Sequence, residues 1–471
     1  MRRLWAVASA TLREAVRTRT AVVILIILVA VVVLSPFLLR GTGKLAERVQ
    51  LVLSYSVSAV GFLLSVLTIF LCASTLAVDR REKRLETIVT KPIPRWQIVV
   101  GKWIGVMLLN VVLVAVSGAV SYVLVRHVIG RPGAAVSKAE RKELNDKVYT
   151  ARHAVEPTPP DYDALITARI EQLRSQDRMP EDLTEAQFRR RERVRIQTLY
   201  NNLPPGHVRA RKFEGVTPAG GDETLDLRFK VIAVGGAGER SDDNTVTLRW
   251  VLTPTDSPTD PNLIRFTRTF KLGDFVEVPI PARVVSPGGV VYAACGNVDE
   301  RFVYTAFPAE EGVQLLYTAG TFEGNFVRTM LLVLVRLAFL GAVALAAAAL
   351  LSFPVASLFA VFVFMCALLV NHFVALATPI GGTEELRVIA GKEREPVYET
   401  PPFYRVVLKA VAAMVPNFGR YDGAGELATG KLVAWRLVVR GLVVVGVLYG
   451  GVVLAAGCLY FSRCELAALE S

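Results

Sequence analysis

The chain has 471 residues, 52% of them hydrophobic and 20% charged, with a formal net charge of +12 and a mean hydropathy of +0.42. Apolar residues crowd into roughly the first 130 and the last 145 positions, while the middle is charged and proline-containing, a partition that excludes a uniform globular chain. Much of the basic excess lies beside the apolar segments, where anionic lipid headgroups attract it, so lipid rather than nucleic acid is the expected partner.

A helix needs about 20 apolar residues to cross the hydrocarbon of a bilayer. Three such segments come first: Ala21 to Leu39, Leu51 to Val78 and Trp103 to Val125. The first is too long, and lacks the small-residue site, for a cleaved signal peptide. Residues 337–383 are uncharged for 47 positions, enough for two crossings, and a break is expected at Ser352-Phe353-Pro354 because proline cannot continue a helical ladder. Gly441 to Ser462 is the last. The fold class expected is therefore an α-helical polytopic membrane protein of about six transmembrane helices with an inserted extracytoplasmic domain.

Between the third and fourth segments, residues 131–205 read as helical. KAERKELNDKVYTARHA (138–154), YDALITARIEQLRSQ (162–176) and EAQFRRRERVRIQTLYNN (185–202) are the candidate helices, the last capped by Thr184. Its arginine run reads as a solvated face. Residues 206–325 change character. Seven short β-rich runs, among them TLDLRFKVIAV and TVTLRWVLT, are separated by Gly, Pro and Asp, the signature of an antiparallel β-sandwich. Trp250, Tyr292 and Tyr304 read as its core aromatics. Of the five cysteines only Cys295 falls here, which excludes a disulfide within this region.

Lys and Arg set the orientation. The N-terminal tail and the loop after the second span are strongly basic, so both are expected to be cytoplasmic. This puts the insertion outside and both termini inside. The domains are then an interfacial helix with spans one to three over 1–130, the insertion over 131–325, and spans four to six over 326–471 with an extracytoplasmic loop at 378–436. That loop is basic against the charge trend.

The chemistry is sparse. GELATGK (Gly425 to Lys431) resembles the start of a phosphate loop, but Leu432 stands where Ser or Thr must meet magnesium, so it is read as a chance match. The four histidines make no metal-ligand spacing. No catalytic, metal or cofactor site is expected in this chain. Polar groups at membrane depth usually face protein or a water cavity. Asn110, Asn371 and His372 are thus candidates for a substrate path, or for hydrogen bonds between helices. Gly101 with Gly105, and Gly446 with Gly450, have the spacing of close helix packing.

The stretch LETIVTKPIPRWQIVVGKWIG (Leu85 to Gly105) follows the charged DRREKR at the end of the second span. Its Glu86, Thr90, Lys91-Pro92, Arg95 and Gly101-Lys102 resemble the loop between the second and third spans of the ATP-binding-cassette (ABC) type 2 permeases. The N-terminal WAVASATLREAVRTRT and the late VPNFGRYDGAGELATG resemble that family's interfacial helix and its turn before the last span. The resemblance implies a permease subunit whose coupling loop, through Glu86, Thr90, Lys91, Pro92, Arg95 and Lys102, docks on a separate ABC ATPase subunit that holds ATP and Mg. It also implies a second permease copy or a sister chain, in a bacterial plasma membrane. The competing reading is a membrane-anchored binding or assembly protein whose outer domain acts without an ATPase.

Overall fold

A computed structural model describes residues 2–17, 20–38, 45–81, 94–129, 137–176, 184–218, 224–234, 244–257, 260–308, 311–377 and 402–463. The chain divides into two compact units. The first comprises Met1–Ala151, Gly320–Thr378 and Thr400–Ser471, and the second is built on Arg152–Ala319.

The first unit is helical. α1 (Arg2–Arg17) is amphipathic, burying Ala8, Thr11 and Ala15 at helical spacing and exposing its arginines. α2 (Thr20–Leu38), α3 (Leu45–Arg81) and α4 (Arg95–Val123, continued by a π-helical turn to Ile129) follow. α5 (Lys138–Lys147) starts at a capping box, in which the Ser137 hydroxyl accepts from the Glu140 amide and the Glu140 carboxylate accepts from the Ser137 amide. After the second unit come α8 (Phe322–Leu350) and α9 (Phe353–Ala377). They part at Leu351 and Ser352, the position the proline marks, and pack on each other. α10 (Pro402–Met414), the short α11 (Ala424–Ala428) and α12 (Trp435–Gly441) precede a π-helical stretch to Gly450 that runs on into α13 (Gly451–Arg463).

Among the described residues five helices are long and apolar enough to cross a membrane: Leu45–Ala77, Arg95–His127, Phe322–Leu350, Phe353–Phe373 and Trp435–Arg463. The described apolar part of α2 that meets the same measure is shorter, Leu25–Leu34. α8 is the hub. It is the most buried of the five and packs against α3, α4, α9 and α13. Glycines let the last helix approach it closely: a Cβ on Gly450 would touch the Phe339 Cα at 3.6 Å, and one on Gly457 would lie 2.8 Å from the Ala346 Cβ.

The second unit carries α6 (Tyr162–Ser175) and α7 (Glu185–Asn201), which pack through Ile166, Ile170 and Phe188. Its strands are β1 (Thr150–Val155), β2 (Asn202–Leu203), β3 (Val208–Phe213), β4 (Thr224–Lys230), β5 (Ile232–Ala233), β6 (Thr245–Thr253), β7 (Ile264–Lys271), β8 (Phe275–Pro281), β9 (Val291–Asn297), β10 (Thr305–Ala306) and β11 (Val313–Thr321). One sheet has the order β1-β11-β4-β8 and another β3-β9-β6-β7, while β2-β10-β5 form a small third. β11–β4, β4–β8, β3–β9, β6–β9 and β6–β7 are antiparallel. Both large sheets feed one apolar core. Leu225, Leu227 and Phe229 come from β4, and Leu248, Trp250 and Leu252 from β6. The Trp250 ring lies 5.0 Å from Phe229 and 6.0 Å from Phe307.

Four expectations need correction. The helix read over 138–154 ends at Lys147, and Thr150–Val155 is a strand paired with β11, whose Arg152 is held by carboxylates of β4 and β8. The second compact unit accordingly begins at Arg152, with α5 packed on α3 in the first unit, and the span after it begins at Phe322. Of the three aromatics, Trp250 is fully buried and Tyr292 is half-buried, but Tyr304 is 41% exposed. The strand VRARKF was not anticipated, because its inward position 211 carries an arginine.

Candidate functional site

The predicted coupling residues Glu86, Thr90, Lys91 and Pro92 lie outside the described residues, as does the loop 378–401. The helix that carries the loop onward is described in full. Pro94 is the N-cap of α4, its φ of −58° set by the ring and its ψ of 134° non-helical, and the Gln97 amide donates to its carbonyl at 2.9 Å.

Four contacts fix this end of α4. The Arg95 Nη1 donates to the Ser462 carbonyl at 3.3 Å, placing a cation at the C-terminal end of α13 where the helix dipole is negative. The Cys458 thiol lies 4.0 Å from the Trp96 carbonyl. Lys102 is 3% exposed, and its Nζ donates to the Thr75 carbonyl of α3 at 2.8 Å. The fourth contact is α1 itself. A Cβ on Gly101 would lie 2.8 Å from the Val7 Cβ, and one on Gly105 would lie 2.6 Å from the Ala8 carbonyl oxygen and 2.8 Å from the Thr11 Cβ. Glycine at both positions is thus what lets the amphipathic helix lie directly on α4. Because their spacing is one helical turn, the contact is continuous along that face.

Deeper in the bundle, the Thr68 hydroxyl donates to the Asn110 Oδ1 at 3.2 Å, and Asn110 is fully buried between α3 and α4. The Trp103 indole donates to the Ala338 carbonyl of α8 at 3.0 Å. Asn371 and His372 lie elsewhere, on exposed positions of α9. Asn371 accepts a hydrogen bond from the Asn417 amide, and the Phe418 amide donates to the Ala367 carbonyl at 3.1 Å. Asn110 and Asn371 are therefore each hydrogen-bonded to a different neighbour.

The segment before the last span is built into the bundle. Asn417 caps the turn by accepting from the Arg420 amide at 3.1 Å. Phe418 is buried against Phe339 and Phe364. Arg336, at the middle of α8, does not extend to an interface as a lone charge. It pairs with Asp422 at 3.5 Å and lies over the Phe418 ring at 5.3 Å. Asn325 acts as a backbone surrogate: its amide donates to the Lys431 carbonyl and its oxygen accepts from the Val433 amide, both at 2.7 Å. The GELATGK turn closes on protein. Gly430 has φ +66°, and a Cβ there would lie 2.0 Å from the Lys147 carbonyl oxygen, leaving no room for a phosphate.

Sequence reading missed Thr75, Ala8, Thr11, Asn325, Asp422 and Ser462. Asn325 and Asp422 could have been suspected as polar residues bordering apolar helices. The others act through backbone or small side chains and carry no pattern.

The architecture is that of a polytopic helical membrane protein with a separate, largely antiparallel sheet unit. The family described as ABC-2 family transporter protein matches residues 5–139, which span α1 to the start of α5 and end before the second unit begins. This supports the ABC-2 permease family, a transmembrane component of an ABC transporter rather than its ATPase. No curated protein and no solved structure matches the chain.

Proposed function

We propose that this chain is the permease subunit of an ABC transporter, coupling ATP hydrolysis on a separate ATPase subunit to export of a substrate or its extraction from the bilayer. Two copies, or this chain and a sister, pair in a bacterial plasma membrane. Both termini and the Leu85–Lys102 loop face the cytoplasm, and the second unit lies outside. The chain itself binds neither ATP nor Mg, which belong to the partner.

The observation that carries this reading is the four-way anchorage of the α4 entry to α1, α3 and α13. A helix end held only by its own loop would absorb a push by bending. Here a force delivered at the loop reaches four helices at once, because packed helices move as bodies rather than deforming continuously. Glu86, Lys91 and Arg95 provide the charged contacts to the ATPase, Pro92 shapes the elbow, and Lys102 ties the movement to α3. Asn110, Asn371 and His372 are offered as polar positions along the substrate route.

The test is co-purification with the ATPase, followed by charge reversal at Glu86 and Arg95 together. The double variant should insert normally and lose stimulation of ATP hydrolysis. Wild-type stimulation in a well-folded double variant would refute the coupling assignment. Absence of any ATP-binding subunit on the purified membrane unit would favour the anchored binding protein instead.

A further inference from the structure

The second unit contains a buried cation that forms no ion pair with a carboxylate among the described residues. Arg211, on β3, is 3% exposed. Its Nη2 donates to the Tyr200 carbonyl at a long 3.4 Å, and its guanidinium lies over the Phe307 ring at 4.4 Å and the Tyr200 ring at 5.1 Å. Its Nη1 is buried with no hydrogen-bond partner among the described residues. The ionisable groups that bear on it are Tyr200, Cys295, Arg209 and Tyr162, none of them a carboxylate, and burial pushes its pKa down. The two other buried arginines of this unit are built differently: Arg152 meets Asp226 at 2.8 Å and Glu277 at 3.1 Å, and Arg228 lies 3.8 Å from Glu277.

The local compensation is too small to explain a structural role. Arg211 sits at the C-terminal end of α7, whose dipole is worth about 0.3–1 kcal/mol. Each ring contact adds about 2 kcal/mol at most when desolvated. Burying an unpaired charge costs several kcal/mol. A fold that only needed to fill this position would gain by carrying leucine.

Arg211 lines a cavity of about 280 Å³. Tyr162, Tyr200 and Phe307 supply flat walls, and Gln197 supplies an amide. Glu156, which accepts from the Gln314 amide at 3.3 Å, and Glu311 also line it. The guanidinium can make the paired hydrogen bonds that a carboxylate accepts, while the two glutamates on the cavity wall disfavour a doubly charged phosphate. The volume suits one ring. We propose that this cavity is a binding site for a small ring-bearing carboxylate, whose carboxylate meets the Arg211 guanidinium while its ring lies against the tyrosines and Phe307. Two sources share that chemistry, an acidic sugar and an aromatic acid. The inference does not depend on the transport reading, since binding is read without ATP.

The test uses the full chain in nanodiscs and saturation-transfer NMR with four probes at millimolar concentration: benzoate, benzamide, glucuronate and glucose. At least one of the two acids should receive saturation and its neutral counterpart should not; which acid responds separates the two sources. Arg211→Met should abolish the signal. Because that variant could misfold, Gln197→Trp, at an exposed position on the cavity wall, provides a second route by filling the cavity while leaving Arg211 in place, and it should also abolish the signal. The proposal is overturned if neither acid binds the wild type, if a neutral probe binds as well as its acid, or if the acid still binds both variants.

Discussion

Gly105→Ala tests whether α1 is fixed to α4 by direct backbone contact. The added Cβ would stand 2.6 Å from the Ala8 carbonyl oxygen and 2.8 Å from the Thr11 Cβ. Neither atom is the free end of a flexible side chain, so neither can turn away. α1 must retreat by about 0.8 Å to restore an ordinary contact with that oxygen. A gap of 0.5–1 Å already forfeits about a quarter to a half of the dispersion well for the atoms facing it, and overpacking of this kind costs about 1–3 kcal/mol. That corresponds to an increase of about 5- to 150-fold in the population with α1 detached. The reporter is a cysteine at position 15, which is 4% exposed as alanine, in a background whose five native cysteines are alanine. Its alkylation rate in nanodiscs should rise by that factor in the Gly105→Ala variant. Gly425→Ala, where a Cβ meets nothing within 4 Å, should leave the rate unchanged. An unaltered rate in Gly105→Ala would refute the argument that this glycine exists to admit α1.

Three further predictions concern stability. Asn325→Ala strands the Lys431 carbonyl and the Val433 amide, each costing about 1–3 kcal/mol, so thermal unfolding of the first unit should move to distinctly lower temperature. Glu277→Ala removes the carboxylate that accepts from both Arg152 Nη atoms at 3.1 and 3.2 Å, and about 3 kcal/mol should be lost from the second unit in denaturant titration. Asp299 is held down to a pKa of about 2, first by its hydrogen bonds from Arg301 and then by amides of Thr247 and Arg301. Its stabilisation, about 2 kcal/mol, is fully present above the ordinary carboxylate pKa of 3.8 and is lost as the pH falls through about 2. The Asp299→Asn variant should show a correspondingly shallower loss of stability between those pH values, measured by thermal unfolding.

Much of the architecture was legible because its causes are local in sequence. Long uncharged runs mark helices that bury no charge in hydrocarbon, Pro354 marks the break between α8 and α9, and the alternation of short apolar runs with turn residues marks the sheets. The cap at Thr184 was readable for the same reason. The candidate site was legible only as a motif. Arg95 and Lys102 stood out as charges beside a span, but their partners are backbone carbonyls of Ser462 and Thr75, distant in sequence and without chemical signature.

The sequence by itself determined that this is a membrane protein with a charged, β-rich insertion, because hydrocarbon and water select composition residue by residue. Only the tertiary structure decided what the buried polar groups are for. It showed that Gly101 and Gly105 seat α1, that Arg336 belongs to Asp422, that TARHAV is a strand on β11 whose Arg152 reaches carboxylates on two others, and that Arg211 has no such partner among the described residues. The worth of a buried charge or a missing Cβ is set by whatever lies within a few ångströms, and for each of these residues that neighbour comes from a distant part of the chain.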